Sequence, residues 1–536
     1  MQVKSSLYEV LLDTKTQFPK NNALLFMKKY VTYEELIEKI DLVSAGLYAL
    51  GIRTGDKVTM AMPNVFEAIY SFYAVNRLGA IAHFVHPLTP VKQIARFMDK
   101  LESKTLMILD TFYDHYKEVL ELEGTRMILA NPTDSFSVVK KVGYAVINRK
   151  KRKGIVYSER VLRFKELLKN NDIPDASPSV LKADSVYLHS GGTSGEPKTI
   201  CLSDFAINSL ASKTSYILGE TEFKDRHMLA VLPLFHGFGL CMGIHAMLAF
   251  GGVDTLMPKY DSKETIELLK NNQVNYVIGV PSLFENLISH PEVRGAHLKN
   301  LHQAFVGGDY VALDLKYRFD RLMKEYGSKA RLLEGYGLTE VVTVCAVNTL
   351  QDHLQTSVGK VLPGLEINIV DLETREFLPK DSLGEIVVRG DTMMNGYLES
   401  ENTTDVFLHV GKKTWVLTGD YGFIDQEGYL HFKQRLKRII KVSGMPVLPS
   451  EIENLIMNMS DVKEVSAVGV PDEQRGYMIK LFVVASAVKE EILSACIKQT
   501  IKDELGIYAV PKEIVYLESL PKTIIGKVDT RQLEKM

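Results

Sequence analysis

The sequence predicts an α/β protein: a large N-terminal domain of layered α/β subdomains with a small β-barrel-like part, then a small α+β C-terminal domain. Three observations carry that prediction. Short apolar runs alternate with amphipathic stretches from Asp56 to about Val306, the pattern of stacked sheets and helices. Between Gly335 and Tyr429 the texture changes to short strands punctuated by glycine. Beyond Arg435 a compact βα pattern resumes, over about a hundred residues, which is enough for a separate domain.

Taken in order, "DKVTMAM" is an apolar strand and "NVFEAIYSFYAVNRLGA" the amphipathic helix after it. "TLMILD", "NYVIGV" and "LHQAFVGG" are further short strands beside helical stretches. "LEINIVD", "GEIVVRG", "WVLTGD" and "GYLHF" make the antiparallel or barrel-like part. "PSEIENLIMNM" then reads as a helix, "VKEVSAVGVP" and "IKLFVVAS" as strands, followed by a charged helix from Lys489 and the strand in "PKEIVYLESLP". Composition fits: 536 residues, 46% apolar, 24% charged and a net charge of -2 describe a globular chain with no electrostatic reason to bind nucleic acid. Four scattered cysteines without a C-x-x-C pair point to reduced thiols and a cytoplasmic location. The first twenty residues lack the apolar core of a secretory signal. Met228 to Val253 is apolar and long enough to span a bilayer, but Pro233, five glycines, His236 and His245 favour a buried strand, a turn at "PLFHGFG" and a buried helix, so no transmembrane segment is expected. The run "NRKKRKG", Asn148 to Gly154, reads as a solvated surface loop. Its sharper reading is a contact for anionic groups: a lipid head group through Arg149–Lys153, a carrier protein or a nucleotide phosphate.

The chemistry starts at "SGGTSGEPKT", Ser190 to Thr199. It begins where the strand "DSVYLHS" ends and fails the Walker A spacing, because Lys198 comes two places late. Consecutive small residues still let several backbone N–H groups converge on an anion, and Thr193, Ser194 and Lys198 add hydroxyls and a point charge. The alternative is a plain hairpin loop. In "LLEGYGLTE" a threonine and Glu340 offer the few hard oxygens that magnesium takes beside phosphate. Asp420, closing "WVLTGD", could accept both hydroxyls of a ribose, or be a turn aspartate.

The ordered set "SGGTSGEPK", "PLFHGFG", "VGGDYV", "EGYGLTE", "LGEIVVRGDTMMNGY", "LTGD", "QRLKRIIKVSGMPVLPSEIE" and "LPKTIIGKVDTR" resembles the adenylate-forming (AMP-binding) enzymes, in texture the acyl-CoA synthetases above all. The likeness runs from about Leu7 to Leu533. It implies an AMP-forming acid–thiol ligase: a carboxylic acid, fatty or aryl, attacks the α-phosphate of ATP, pyrophosphate leaves, and the acyl group passes to the thiol of coenzyme A. It implies ATP, Mg2+ and coenzyme A as cofactors. By the same resemblance, Ser190, Gly191, Gly192, Thr193, Ser194, Gly195 and Lys198 hold the leaving phosphates. Glu340 and Thr193 hold magnesium, and Gly307, Gly308, Glu334, Gly335, Tyr336, Gly337 and Thr339 frame adenine and the α-phosphate. Asp420 and Arg435 fix the ribose, and Lys527 is the adenylation lysine. Phe235, His236, Gly237 and Val341 form the acid pocket, with His236 as gate or else a buried histidine bonded to backbone. Ser443 and Gly444 line the thiol tunnel. The implied domains are residues 1–434, a hinge at 435–437 turning on Lys437, and a mobile domain at 438–536. Gln434 stands where relatives carry glycine. The partners expected are the acid and coenzyme A, with the chain a monomer or homodimer. Two alternatives are a free-standing adenylation enzyme loading a carrier protein's phosphopantetheine, and a non-catalytic nucleotide-binding homologue. The latter fits poorly with Glu340, Asp420, Arg435 and Lys527 all present.

Overall fold

A computed structural model describes residues 5–133, 136, 138–178, 180–190, 197–399, 404–443, 445–472, 476–486, 489–522 and 528–536. The chain divides into two compact units, 1–366 with 388–416, and 367–387 with 417–536. The described residues form sheets of nine, eight, five and five strands.

In the first unit, helices cover two mainly parallel sheets, as the strand–helix alternation predicts. The strand expected in "DKVTMAM" is Lys57–Ala61, and the helix after it Phe66–Arg77. Parallel strands Tyr276–Gly279, Gln303–Val306 and Leu332–Gly337 lie side by side, and Val344–Val347 closes back antiparallel on the last. Their carboxyl ends therefore bring "VGGDYV" and "EGYGLTE" together, where loops of open α/β sheets bind ligands. In the other sheet the antiparallel pair Asp184–His189 and Thr199–Ser203 carries the glycine-rich loop between its ends.

The apolar segment from Met228 is core. Strand His227–Ala230 leads through a turn into a π-helix, Phe238–His245, and then helix Ala246–Ala249. His245 is fully buried, with its ring nitrogens on the Tyr73 hydroxyl at 3.0 Å and the Asn208 side-chain oxygen at 2.8 Å. No described helix is long and apolar enough to cross a membrane. Two local expectations need correction. The basic run is a short helix, Arg149–Arg152, after helix Val138–Ile147, because Arg152 is drawn onto Asp110 and the turn closes around it. Strand Lys413–Ile424 also does not stop at Asp420: Gly419 takes a positive φ of 69° and kinks the strand, which then pairs on with Leu430–Arg435 across a register shift between Tyr421 and Gly422.

The second unit contains a sheet with Val462–Asp472 and Gly476–Ala485 as its long antiparallel pair. Ile479, Leu481 and Val483 face helices Pro449–Met457 and Glu490–Leu505, while Phe482 and Val484 join Val468, Leu520 and Leu533 in a separate cluster. That alternation is the period of two that a strand imposes.

Buried histidines make stability pH-dependent. Burial lowers the pKa of His189 and His227 to about 4 and of His245 to about 3. The unfolded chain takes up their protons first as pH falls below ~6.5, so their contribution is complete above that pH and is lost toward pH 4, at up to ~1.4 kcal/mol per pH unit each. Asp204 and Asp254, raised by burial, work in the opposite direction. Urea unfolding should therefore show a net fall in stability from pH 6.5 to 4; a flat or rising profile contradicts the assignment.

Candidate active site

The loop that begins at Ser190 has a closed stem. Ser190 N–H donates to the Lys198 carbonyl at 3.0 Å, and Lys198 N–H donates to Ser190 Oγ at 3.0 Å. Gly191, Gly192, Thr193, Ser194 and Gly195 lie outside the described residues. Lys198 Nζ sits 4.6 Å from the ring centre of Tyr397, a cation–π contact. The Tyr397 hydroxyl donates to Glu340 Oε1 at 2.8 Å. Strand Gly396–Tyr397, paired with Thr199–Ser203, places that ring. A lysine and a half-buried carboxylate, 142 positions apart by numbering (340 − 198), are thus joined by one tyrosine.

A directed hydrogen-bond chain leads to His189, the residue before Ser190. Ser103 Oγ donates to the Lys57 carbonyl, so it must accept from Thr59 Oγ1, at 2.8 Å. The Thr59 hydroxyl proton is then used, and the oxygen accepts from His83 Nδ1, at 2.9 Å. His83 is held neutral by burial, which leaves its Nε2 as acceptor for His189 Nε2–H at 2.8 Å. His189 also stacks on Phe97, with centroids 4.0 Å apart. The residue next to Ser190 is therefore fixed in place and in tautomer.

Gly307 and Gly335 approach so closely that a Cβ on Gly307 would lie 2.9 Å from the Gly335 carbonyl. That contact leaves no room for a side chain on Gly307, and Gly308 turns the chain with a φ of 78°. The Glu334 side chain is committed elsewhere. It accepts from Lys316 at 2.6 Å in a mostly buried pair, and Lys316 also donates to the Gln355 carbonyl. Burial raises the Glu334 pKa, with Lys316 opposing. The Glu334 carbonyl is used as well, accepting from Asn348 N–H at 2.9 Å and from the Asn348 side-chain amide at 3.2 Å.

After the short 3-10 turn Thr339–Val341 the chain makes a strained γ-turn. Val342 has φ 68° and ψ -60°, and Thr343 N–H donates to the Val341 carbonyl at 2.9 Å. A β-branched residue rarely adopts such a conformation, and strain of this kind collects at functional sites. The turn presses on the "PLFHGFG" stretch: a Cβ on Gly237 would lie 1.8 Å from the Val342 carbonyl. Gly237 therefore packs against the backbone of this turn, in which Val341 is fully buried. Phe235 packs its ring 4.8 Å from that of His86. His236 is exposed, its Nδ1 accepting from Phe238 N–H at 3.3 Å, so it is not the buried histidine of the alternative reading. Gly337 is equally constrained, since a Cβ there would meet the Thr343 carbonyl at 1.6 Å. Gly337→Ala should cost ~3 kcal/mol or more in urea unfolding, because backbone must shift. Gly143→Ala, in a helix with open space around it, should instead stabilise by up to ~1 kcal/mol.

In the second unit, Asp420 and Arg435 face each other across paired strands, with Arg435 Nε 3.0 Å from the Asp420 carboxylate. Asp420 is buried and Arg435 half-exposed. Gln434 is buried, and its side-chain oxygen accepts from Ser450 N–H and Oγ, tying the strand to the start of helix Pro449–Met457. That accounts for the departure from glycine. Lys437 is exposed in the turn Leu436–Arg438, and Ser443 is exposed with a φ of 52°. Gly444 and Lys527 lie outside the described residues.

Sequence reasoning missed Tyr397 and the His83–His189 pair. Tyr397 ends "TMMNGY", a quoted motif, but its partners are set by folding alone.

In the first unit a carboxylate with a lysine nearby suits a polyphosphate and a hard cation; the second unit, taken by itself, holds a buried carboxylate–arginine pair. Residues 12–398 match the AMP-binding enzyme family, and residues 451–527 match the AMP-binding enzyme C-terminal domain. A long-chain-fatty-acid–CoA ligase from Bacillus subtilis is 26% identical over 540 residues, covering 98% of this chain and 94% of that one. The 4-coumarate–CoA ligase 2 of Solanum tuberosum is 28% identical over 514 residues, covering 94% and 88%. The structure of ATP-bound MatB from Rhodopseudomonas palustris superposes with a TM-score of 0.85 at 22% identity, covering 100% and 99%, a likeness of fold.

Proposed function

We propose that this chain, which belongs to the AMP-binding enzyme family, activates a fatty acid with ATP and Mg2+ and transfers it to coenzyme A. The observation that carries the reading is the Lys198–Tyr397–Glu340 array at the stem of the glycine-rich loop, a cation and an anion held one tyrosine apart where a polyphosphate and its metal need both. The fatty-acid choice rests on similarity to long-chain-fatty-acid–CoA ligases over nearly the full length of both chains.

A carboxylate oxygen attacks the α-phosphorus, the α–β bridging P–O bond breaks, and pyrophosphate carries the electron pair away. Little covalent work falls to the protein, so positioning and electrostatics dominate. The loop from Ser190 with Lys198 restrains the departing phosphates, and the backbones of Gly307 and Glu334–Tyr336 hold the adenosine. Asp420 accepts from the ribose hydroxyls, and Arg435 keeps that carboxylate charged. Lys527 offsets charge between the acid oxygen and the α-phosphate. Glu340 and Thr193 are the side chains for magnesium, which neutralises phosphate charge when bound. In the second half-reaction the thiol sulfur attacks the carbonyl carbon, a C–S bond forms, the acyl C–O bond to the phosphate breaks, AMP leaves with that electron pair and the thiol proton passes to solvent. Rotation at Lys437 exchanges the two steps, with 1–434 and 438–536 as the moving parts, and Ser443 and Gly444 line the thiol's approach.

The test is thioester formation, read by mass spectrometry, over a series of fatty and aryl acids offered coenzyme A or a phosphopantetheinyl carrier protein. Fatty acyl-CoA is the expected product. Product with the carrier alone, or with aryl acids alone, overturns the proposal.

A further inference from the structure

The structure assigns a second working surface to the helices Val138–Ile147 and Arg149–Arg152: we propose that they dock the enzyme on an anionic lipid bilayer. One side of the first helix is anchored inward. The Tyr144 hydroxyl donates to Asp110 at 2.8 Å, and Arg152 Nε lies 2.9 Å from the same buried carboxylate. Val142 and Val146, two positions either side of Tyr144, lie about 200° round the helix from it and so point away. They are 55% and 69% exposed, Ile147 is 82% exposed, and Val156, just beyond the second helix, is 72% exposed. Four branched apolar side chains left in water within fifteen positions (142 to 156) need an apolar partner more than solvent.

The charge around them says which partner. Lys141, Arg149, Lys150, Lys151 and Lys153 are all exposed. None of these five makes an ion pair with a described acidic residue. An open cleft of about 330 Å³ is lined by Arg149, Arg152 and Lys153 together with Ala145, Ile155 and Tyr157, and with Arg152 held by Asp110 the Arg149 and Lys153 cations are the ones left to meet a phosphate head group. An acidic protein would be served by the cations alone, whereas apolar tips interleaved with lysines match a bilayer's acyl boundary and anionic heads together. The helix of ten residues is too short to span, so it lies in the interface plane. This inference concerns where the enzyme works and does not depend on the acid it uses.

The full chain is mixed with vesicles of phosphatidylcholine alone or with phosphatidylglycerol, and sedimented. The wild type should pellet with the anionic vesicles, less so as salt rises. Val146→Asp/Ile147→Asp should lower the partition coefficient roughly tenfold or more at every salt concentration. Lys150→Glu/Lys151→Glu should remove the preference for phosphatidylglycerol and the salt dependence. All four positions are exposed, so thermal melts should match the wild type and serve as the folding control. A wild type that stays in the supernatant with anionic vesicles overturns the proposal. So does pelleting unaffected by the Val146/Ile147 variant, which would reduce the patch to a cationic site for soluble anions or an acidic protein.

Discussion

Lys527→Ala should lower acid-dependent exchange of labelled pyrophosphate into ATP by about 10²–10³-fold, the usual cost of removing one charge-stabilising donor. The reason is local. As the acid oxygen closes on the α-phosphorus, negative charge builds between two groups already rich in oxygen, and a single ammonium there is worth more than any neutral donor. The same variant should still convert supplied acyl-adenylate and coenzyme A to thioester at near wild-type rate, because no new negative charge then needs that lysine. Loss of both half-reactions together would mean a structural role for Lys527, and unchanged exchange would remove it from the mechanism.

The second large effect is expected at Glu340. Glu340→Gln keeps the shape and the hydrogen bond from Tyr397 but removes the charge, and should cut kcat for adenylation by about 10²–10³-fold, with partial recovery at high Mg2+. Tyr397→Phe is the informative companion. It leaves the carboxylate but frees its orientation and keeps the ring under Lys198. A loss of about 10–100-fold in apparent Mg2+ affinity, with kcat at saturating Mg2+ nearly restored, is the signature of an orienting residue. If Tyr397→Phe matched Glu340→Gln in both quantities, the tyrosine would be acting on the substrate itself.

Much of the fold is written in local pattern. The apolar runs at Lys57–Ala61, Tyr276–Gly279 and Gln303–Val306 are strands because each is short, continuous and bounded by turn residues. The apolar segment from Met228 is resolved correctly because proline, glycine and histidine within it are poor companions for lipid. The strand through Asp420 runs longer than expected because Gly419, which reads as a stop, instead makes a kink that cross-strand pairing to Arg435 carries through. The basic run is helical because of one buried carboxylate, Asp110, that no local pattern connects to it.

The site divides in the same way. Glu340 and Asp420 stand out in the sequence as candidate carboxylates beside glycines, although Asp420 also reads as a turn aspartate and its strand runs on past it. Tyr397 and His189 do not, since each acquires meaning from a partner brought in by the sheet: Glu340, 57 positions away, and His83, 106 positions away. The commitment of the Glu334 side chain to Lys316 is equally hidden, since the fold alone brings that helix lysine onto the strand.

The most direct test of the account is a product assay with ATP, Mg2+ and a fatty acid, with coenzyme A present or omitted. Without coenzyme A, the account predicts acid-dependent pyrophosphate exchange and bound acyl-adenylate; with it, AMP, pyrophosphate and acyl-CoA in equal amounts. Formation of ADP and phosphate, or exchange that ignores the acid, would contradict attack at the α-phosphate.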